Sequence, residues 1–411
     1  MKTTTFILLF AIVLSACAPA AVPLVMPPPA AESPAVELTL WHDYAVGGSE
    51  EAALTQILAN YQKVNPNVTV KVEPVAFSGI FSEWDKQVAA GGGPDIFTAP
   101  NNKLGSQVRA GRLLDLTDRL KGKLGGVAPA AIGDLSINGR IYGVPGVVKA
   151  VALYYNKSTV PVPPATTEDL LALVRSGKKL VLNCDFDSEF GFFPAFGGVP
   201  WDDSGACVNT QVVADAFQFV ADVKAAVDKG YCSCGTATTL FRLGLSDMII
   251  EGPWLLGDLK KALGDKLGVA PMPVGPKGKA GPLVGIDGWF VNPNSKNADA
   301  AVALALYITN KEGQAIYADL AGDPPVRTDV VLSDPLVKVF ADAGAAGYGR
   351  PQEPWLDNFW TPFDVNFWLM FSLTADPAQA AVDACTDMNK ANNVNVTVPV
   401  PAAPPGAASQ P

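Results

Sequence analysis

The sequence predicts an α/β protein whose single chain builds two interleaved lobes with a cleft between them. Three observations predict it. Its 411 residues are 49% hydrophobic and 17% charged, enough to bury more than one core. Segments with the period of strands alternate with segments of helical period along the body. No internal repeat and no second linker breaks that alternation, which favours an interleaved chain over two domains in series.

The amino-terminal end reads as an export signal. Lys2 precedes the apolar run from Phe6 to Leu14, a positively charged region followed by a short hydrophobic one. Leu14-Ser15-Ala16-Cys17 then resembles the lipobox of bacterial lipoproteins, in which the cysteine becomes the lipidated amino terminus. Residues 1–17 are therefore expected to be a lipoprotein signal peptide with Cys17 as the anchor. One lipidated end would hold the protein at a membrane surface without spanning it. Residues 18–35 are almost all Ala, Pro and Val, a composition that extends as a tether and packs no core. Residues 398–411 have the same character and are expected to dangle as a disordered tail.

Within the body, residues 36–41 alternate as a strand. Ser49 then starts a helix as its N-cap, with Glu50 and Glu51 in the first turn and a buried face of Leu54, Ile57, Leu58 and Tyr61. Asn65-Pro66-Asn67 turns the chain into a strand at 68–72. A helix over 80–90 leads through a glycine-rich turn into a strand at Asp95-Ile96-Phe97. Further strands are expected at 141–144, 151–155, 179–182, 248–250 and 288–291, with helices at 211–229 and 298–310. Strand, helix, strand in this order is the mark of a mostly parallel sheet flanked by helices.

Composition excludes several functions. Thirty basic against 40 acidic residues leave a net charge of −10 with no basic run, which argues against nucleic acid and anionic membranes as partners. The single histidine, His42, rules out multi-histidine metal sites. Cys232-Ser233-Cys234 is too tightly spaced for a zinc half-site, so no metal and no cofactor is expected. With Cys17 set aside, Cys184, Cys207, Cys232, Cys234 and Cys385 remain in an oxidising compartment, and Cys184 with Cys207 is the pairing favoured.

Several blocks, in order, resemble the extracellular solute-binding proteins of ABC importers, in the cluster of maltose/maltodextrin-binding proteins. They include LTLWHDY from Leu38, GGPDIFTAPNNK from Gly92, NGRIYGVPGVVKAVALYYNK from Asn138, MIIEGPW from Met248, LGVAPMPVGPKG from Leu267 and GWFVNPNSKNADAA from Gly288. The resemblance implies a periplasmic-binding-protein-like fold with a first lobe at 36–147 plus 286–320 and a second at 149–284 plus 324–388. It also implies hinge closure over solute held in the cleft.

Trp254 and Trp360 match aromatics that stack on sugar in the family, and Phe190 aligns near a third. Asn102 and Lys103 stand where an Asp-Arg pair binds hydroxyls. Two departures stand out: Lys149 occupies the place of a ligand-binding glutamate, and Asp364 that of an arginine. Asp43 and Tyr44, at the end of the first strand, and Asp287 complete the expected ligand set. The function implied is that of a non-enzymatic lipoprotein, monomeric, that captures a maltodextrin-like oligosaccharide and delivers it to membrane permease subunits. Two alternatives stand beside it: the same fold holding another solute such as a polyamine, against which Lys149 counts, and a secreted glycosidase, which needs a carboxylate pair that no motif marks.

Overall fold

The computed structural model describes residues 35–182, 186–227, 236–372 and 374–402. The signal, Cys17 and most of the tether lie outside the described residues, as do Cys184, Cys232 and Cys234.

The alternation of β1 (Val36–His42) sends Leu38 and Leu40 to one face of a sheet and Trp41 to the other. Helix α1 (Ser49–Val64) covers the first face with Leu54, Ile57 and Tyr61. After β2 (Val68–Pro74), α2 (Phe77–Ala89) covers the second with Ile80, Trp84 and Val88. The N-cap of α1 is Gly48 rather than Ser49, because the Ser49 hydroxyl donates to Asp258 Oδ1 at 2.5 Å, far along the chain. β3 (Ile96–Pro100) and β2 flank β1, and both pairings are parallel.

The chain leaves this sheet along β4 (Gly143–Lys149) and enters a second sheet made of β5 (Ala152–Asn156), β6 (Leu180–Val181), β7 (Met248–Glu251) and β8 (Leu267–Ala270), in the order β8-β5-β7-β6. Tyr154 and Tyr155 of β5 point to opposite faces and join separate cores. The chain returns along β9 (Leu283–Val291), which is buried along its whole length. The two sheets, each packed on both faces, form the two lobes.

The α/β class holds, and both sheets combine parallel with antiparallel pairings. β9 runs antiparallel to β3 and β4, since the chain exits by β4 and comes back by β9. In the second sheet β5 is antiparallel to both β7 and β8, and only β6 with β7 is parallel. The third passage begins later than residue 324: Pro325 and Arg327 still bridge to Val147 and Val127 of the first lobe. The helix Pro335–Ala346 then buries Val337 and Phe340 in the second lobe.

Two further expectations are corrected. Cys207 is bonded to Cys385, 178 residues away, and not to Cys184. The helix Thr210–Ala226, just after Cys207, and the helix Pro377–Ala391, which carries Cys385, pack together, so the sulfurs meet across that contact. Cys385→Ser should lower stability by about 2–5 kcal/mol, as loss of a long-loop crosslink does, visible as a lower Tm under non-reducing conditions. The tail does not dangle from residue 398. Thr210 Oγ1 donates to the carbonyl of Pro399 at 2.7 Å, the Ala402 amide donates to Gln211 Oε1 at 2.7 Å, and Val398 packs on the second-lobe core. An extended Pro-rich strand has no internal backbone partners, and side chains at the start of this helix supply them. Residues 403–411 are outside the described residues.

Candidate functional site between the lobes

Lys149, the last residue of β4, stands where the chain first leaves the first lobe. Its ammonium donates to Glu50 Oε1 at 2.5 Å and to Asp323 Oδ1 at 2.9 Å, and lies 3.3 Å from Asp287 Oδ2. Each carboxylate arrives by a distinct local device. Glu50 sits in the first turn of α1. Asp287 lies at a bulge in β9, where the register shifts between Ile286 and Gly288 and re-aims the side chain. Asp323 follows Gly322, whose φ of 89° is a conformation that only glycine adopts readily. Lys149 is 8% exposed and Glu50, Asp287 and Asp323 less still.

One ammonium thus faces three carboxyl groups, and Asp43 at the end of β1 adds a fourth acidic side chain nearby. Burial first, then repulsion from Asp287, lifts Asp43 to about 8, with Lys149 opposing. Burial lifts Asp287 to about 6 against the pull of Lys149. Burial likewise raises Glu50 well above the carboxylate range. Burial alone would lower Lys149, but Asp287, Asp323 and Glu50 together hold it well above its ordinary value. Asp287 Oδ1 and Asp323 Oδ2 find no hydrogen-bond partner among the described residues.

Trp254 borders this node. A side chain at Gly252 would meet its ring at 2.0 Å, so the glycine lets the indole fold back over the backbone. Tyr154 donates to the Gly252 carbonyl at 2.8 Å and fixes that turn, and Lys149 Nζ lies 5.9 Å from the ring centroid. Tyr44 is buried, its hydroxyl 3.2 Å from that of Tyr317, with its ring stacked on His42. Burial lowers the pKa of His42, with Glu51 opposing.

A second cluster surrounds Trp360 at the start of the helix Trp360–Phe371. The Arg350 guanidinium lies 5.0 Å from its ring centroid, donates to Asn102 Oδ1, and reaches Asp187 Oδ1 at 3.2 Å. Asn102 belongs to the turn after β3, held in place by Asn101, whose Oδ1 accepts from the Ile286 amide and whose Nδ2 donates to the Asp134 carbonyl. Lys103 beside it is partly exposed. Further contacts tie the lobes: Lys261 donates to Ser49 Oγ at 2.9 Å, Arg109 donates to the Gln352 carbonyl at 3.0 Å and pairs with Asp357.

The structure thus brings Asp43, Lys149, Asp287 and Trp254 into one cluster, and Asn102 and Trp360 into another. Phe190 is not at the cleft: it is 0% exposed and ringed by Phe186, Phe193, Trp201 and Phe359 in the second-lobe core. Asp364 is exposed on its helix, and the carboxylates that hold Lys149 come from Glu50, Asp287 and Asp323 instead. Sequence reasoning missed Glu50, Asp323 and Arg350. Glu50 reads locally as a helix-dipole acid, and Asp323 and Arg350 each follow a glycine in what reads as a turn, so no short-range pattern singled them out.

Residues 56–347 match the family model described as bacterial extracellular solute-binding protein. The galactooligosaccharide-binding protein of Bacillus subtilis is 24% identical over 374 residues, covering 84% of this chain and 86% of that one. The maltotriose-binding protein of Pyrococcus abyssi is 26% identical over 357 residues, covering 80% and 76% respectively. Among solved structures, the Thermus thermophilus maltotriose binding protein bound with maltotriose has a TM-score of 0.77 at 28% identity, over 86% of this chain and 100% of that one. The maltose/maltodextrin-binding domain from Bdellovibrio bacteriovorus bound to maltotriose has a TM-score of 0.78 at 25% identity, over 87% and 100%. With two lobes joined by crossing strands and a match spanning most of its body, this chain belongs to the family of bacterial extracellular solute-binding proteins.

Proposed function

We propose that the protein is the solute receptor of an ABC sugar importer, non-enzymatic, and that it captures a maltodextrin-type oligosaccharide between its lobes. The observation that carries this reading is the placement of two partly exposed tryptophans, Trp254 and Trp360, beside polar groups at the seam of the lobes. A flat apolar ring matches the apolar face of a pyranose, and neighbouring charged and amide groups match its hydroxyls. Relatives named for maltotriose and maltodextrin binding support the same solute class. The ligand set is Asp43, Tyr44, Asn102, Lys103, Asp287, Trp254 and Trp360, with Lys149 acting through the carboxylates it holds.

A polyamine is not favoured, since the relatives are named for oligosaccharides. A glycosidase reading lacks support because Glu50, Asp287 and Asp323 converge on one ammonium instead of flanking a bond. Titration calorimetry of the mature protein with maltotriose, raffinose and spermidine tests the assignment. Heat with maltotriose alone is the expected result, with the sugar recovered intact, and heat with spermidine alone would overturn it.

Anchoring through Cys17 places the receptor at the outer face of the cytoplasmic membrane, beside the permease subunits. No described helix is long and apolar enough to cross a membrane. Cys17→Ser should therefore move the protein, once its signal is cleaved, from the membrane fraction to the soluble fraction of fractionated cells; retention of the cleaved protein in the membrane would refute the anchor.

A further inference from the structure

Arg350 follows the short edge strand Tyr348–Gly349 and is 6% exposed, yet it is thinly paired. Asp187 contributes one contact at 3.2 Å and keeps a 40% exposed side chain, so solvent weakens its charge. Asn102 offers an uncharged oxygen. Burial pushes the guanidinium below its ordinary pKa, with Asp187 offsetting only part. Nε is out of solvent and has no hydrogen-bond partner among the described residues. A buried cation with an unmatched donor is unfavourable unless another acceptor is supplied.

The placement says where that acceptor would come from. Asn102 stands on the first lobe, while Asp187 and Trp360 stand on the second, so Arg350 lies across the seam with its Cζ over the indole of Trp360. A guanidinium presents its N–H groups in a rigid planar fork, suited to two neighbouring oxygens at once. Asp364, on the same helix as Trp360, brings no cation to this wall.

We propose that Arg350 is a specificity-determining residue of the cleft: it donates to adjacent hydroxyls of a neutral sugar ring at the Trp360 wall while joining the two lobes through Asn102 and Asp187. The inference rests on the reading of Trp360 as a sugar platform. Solute then does two things at one residue, supplying the acceptor that Nε lacks and favouring the closed arrangement. Lysine cannot replace it, because an ammonium has neither the fork nor a flat face.

The test is calorimetry of wild type, Arg350→Lys and Arg350→Ala with maltotriose and with deoxy-maltotrioses each lacking one hydroxyl, alongside thermal unfolding with and without sugar. Arg350→Ala should weaken maltotriose binding tenfold or more and Arg350→Lys by a similar factor, both with an unliganded Tm near that of wild type. At least one deoxy analogue should bind more weakly to wild type than maltotriose does, yet bind Arg350→Ala as maltotriose does, because the lost hydroxyl and the lost guanidinium are partners. If both variants bind maltotriose within twofold of wild type, or if every deoxy analogue loses the same factor in wild type and variants, Arg350 only ties the lobes and the proposal fails while the sugar reading stands. If wild type itself gives no heat with maltotriose, the sugar reading fails and takes this proposal with it.

Discussion

Trp254→Ala is expected to weaken maltotriose binding by roughly 30-fold or more, the equivalent of about 2 kcal/mol for an aromatic binding hot spot. The size of the effect follows from what surrounds the ring. The indole folds back over Gly252, a position with no side chain, so nothing can move in to rebuild an apolar wall once it is removed. Lys149 faces the ring from 5.9 Å, and losing the indole leaves that ammonium with carboxylates alone. Trp360→Ala should act in the same direction on the other cluster, where it also removes the surface beneath Arg350. Both tryptophans are partly exposed and lie at the edge of the second-lobe core, so the variants should keep the wild-type circular dichroism. Calorimetry decides: unchanged affinity in both would remove the sugar-platform assignment.

Lys149→Glu should be among the most damaging single changes to stability. It would place a fourth carboxylate among Glu50, Asp287 and Asp323, each under a tenth exposed, in place of the ammonium that holds them. Removing one partner from a buried ion cluster costs about 3–5 kcal/mol, or roughly 4–6 °C in Tm for a protein of this size. Glutamate is the residue the family resemblance expects here, yet restoring it should not help, because its surroundings are built for a cation. Adding Asp364→Arg should recover little, since Asp364 is exposed and the carboxylates that hold Lys149 lie elsewhere. A double variant as stable as wild type would show that the two positions share one site after all.

The same node sets a pH dependence in the wild type. Asp43 and Asp287 have folded pKa values near 8 and 6, both raised from 3.8, so the folded state keeps protons that the unfolded chain releases. Stability from that difference is complete below the unfolded value and is lost as pH rises through 6 and then 8. The unliganded protein should therefore show a higher Tm at pH 5 than at pH 8, read by calorimetry at fixed ionic strength. Asp43→Asn should flatten the upper part of that slope, and an equally steep profile in this variant would assign the titration to another group.

Much of the fold was legible because strands and helices announce themselves over short distances. Leu54, Ile57 and Tyr61 share a face of α1 by helical spacing alone, and the opposite directions of Tyr154 and Tyr155 follow from the period of a strand. Trp254 was singled out through the block MIIEGPW, and Trp360 through its match to a stacking aromatic of the family. Phe190 was misplaced because an aromatic beside a loop reads the same whether it faces a cleft or a core. Asp364 was misplaced for a related reason: its helix was evident, but the partners of Lys149 were not.

By itself the sequence determined the α/β class, the two lobes and the family. Only the tertiary structure decided which charges meet. Lys149 is separated from Glu50 by 99 residues and from Asp323 by 174, and Arg350 from Asn102 by 248. Periodicity records which face of an element is buried, and it carries no information about which distant segment will lie against that face. That choice is made when β4 and β9 cross between the lobes and when a bulge at Asp287 and a left-handed Gly322 turn two carboxylates toward one ammonium. The disulfide from Cys207 to Cys385 arose in the same way, through the packing of two helices far apart in the chain.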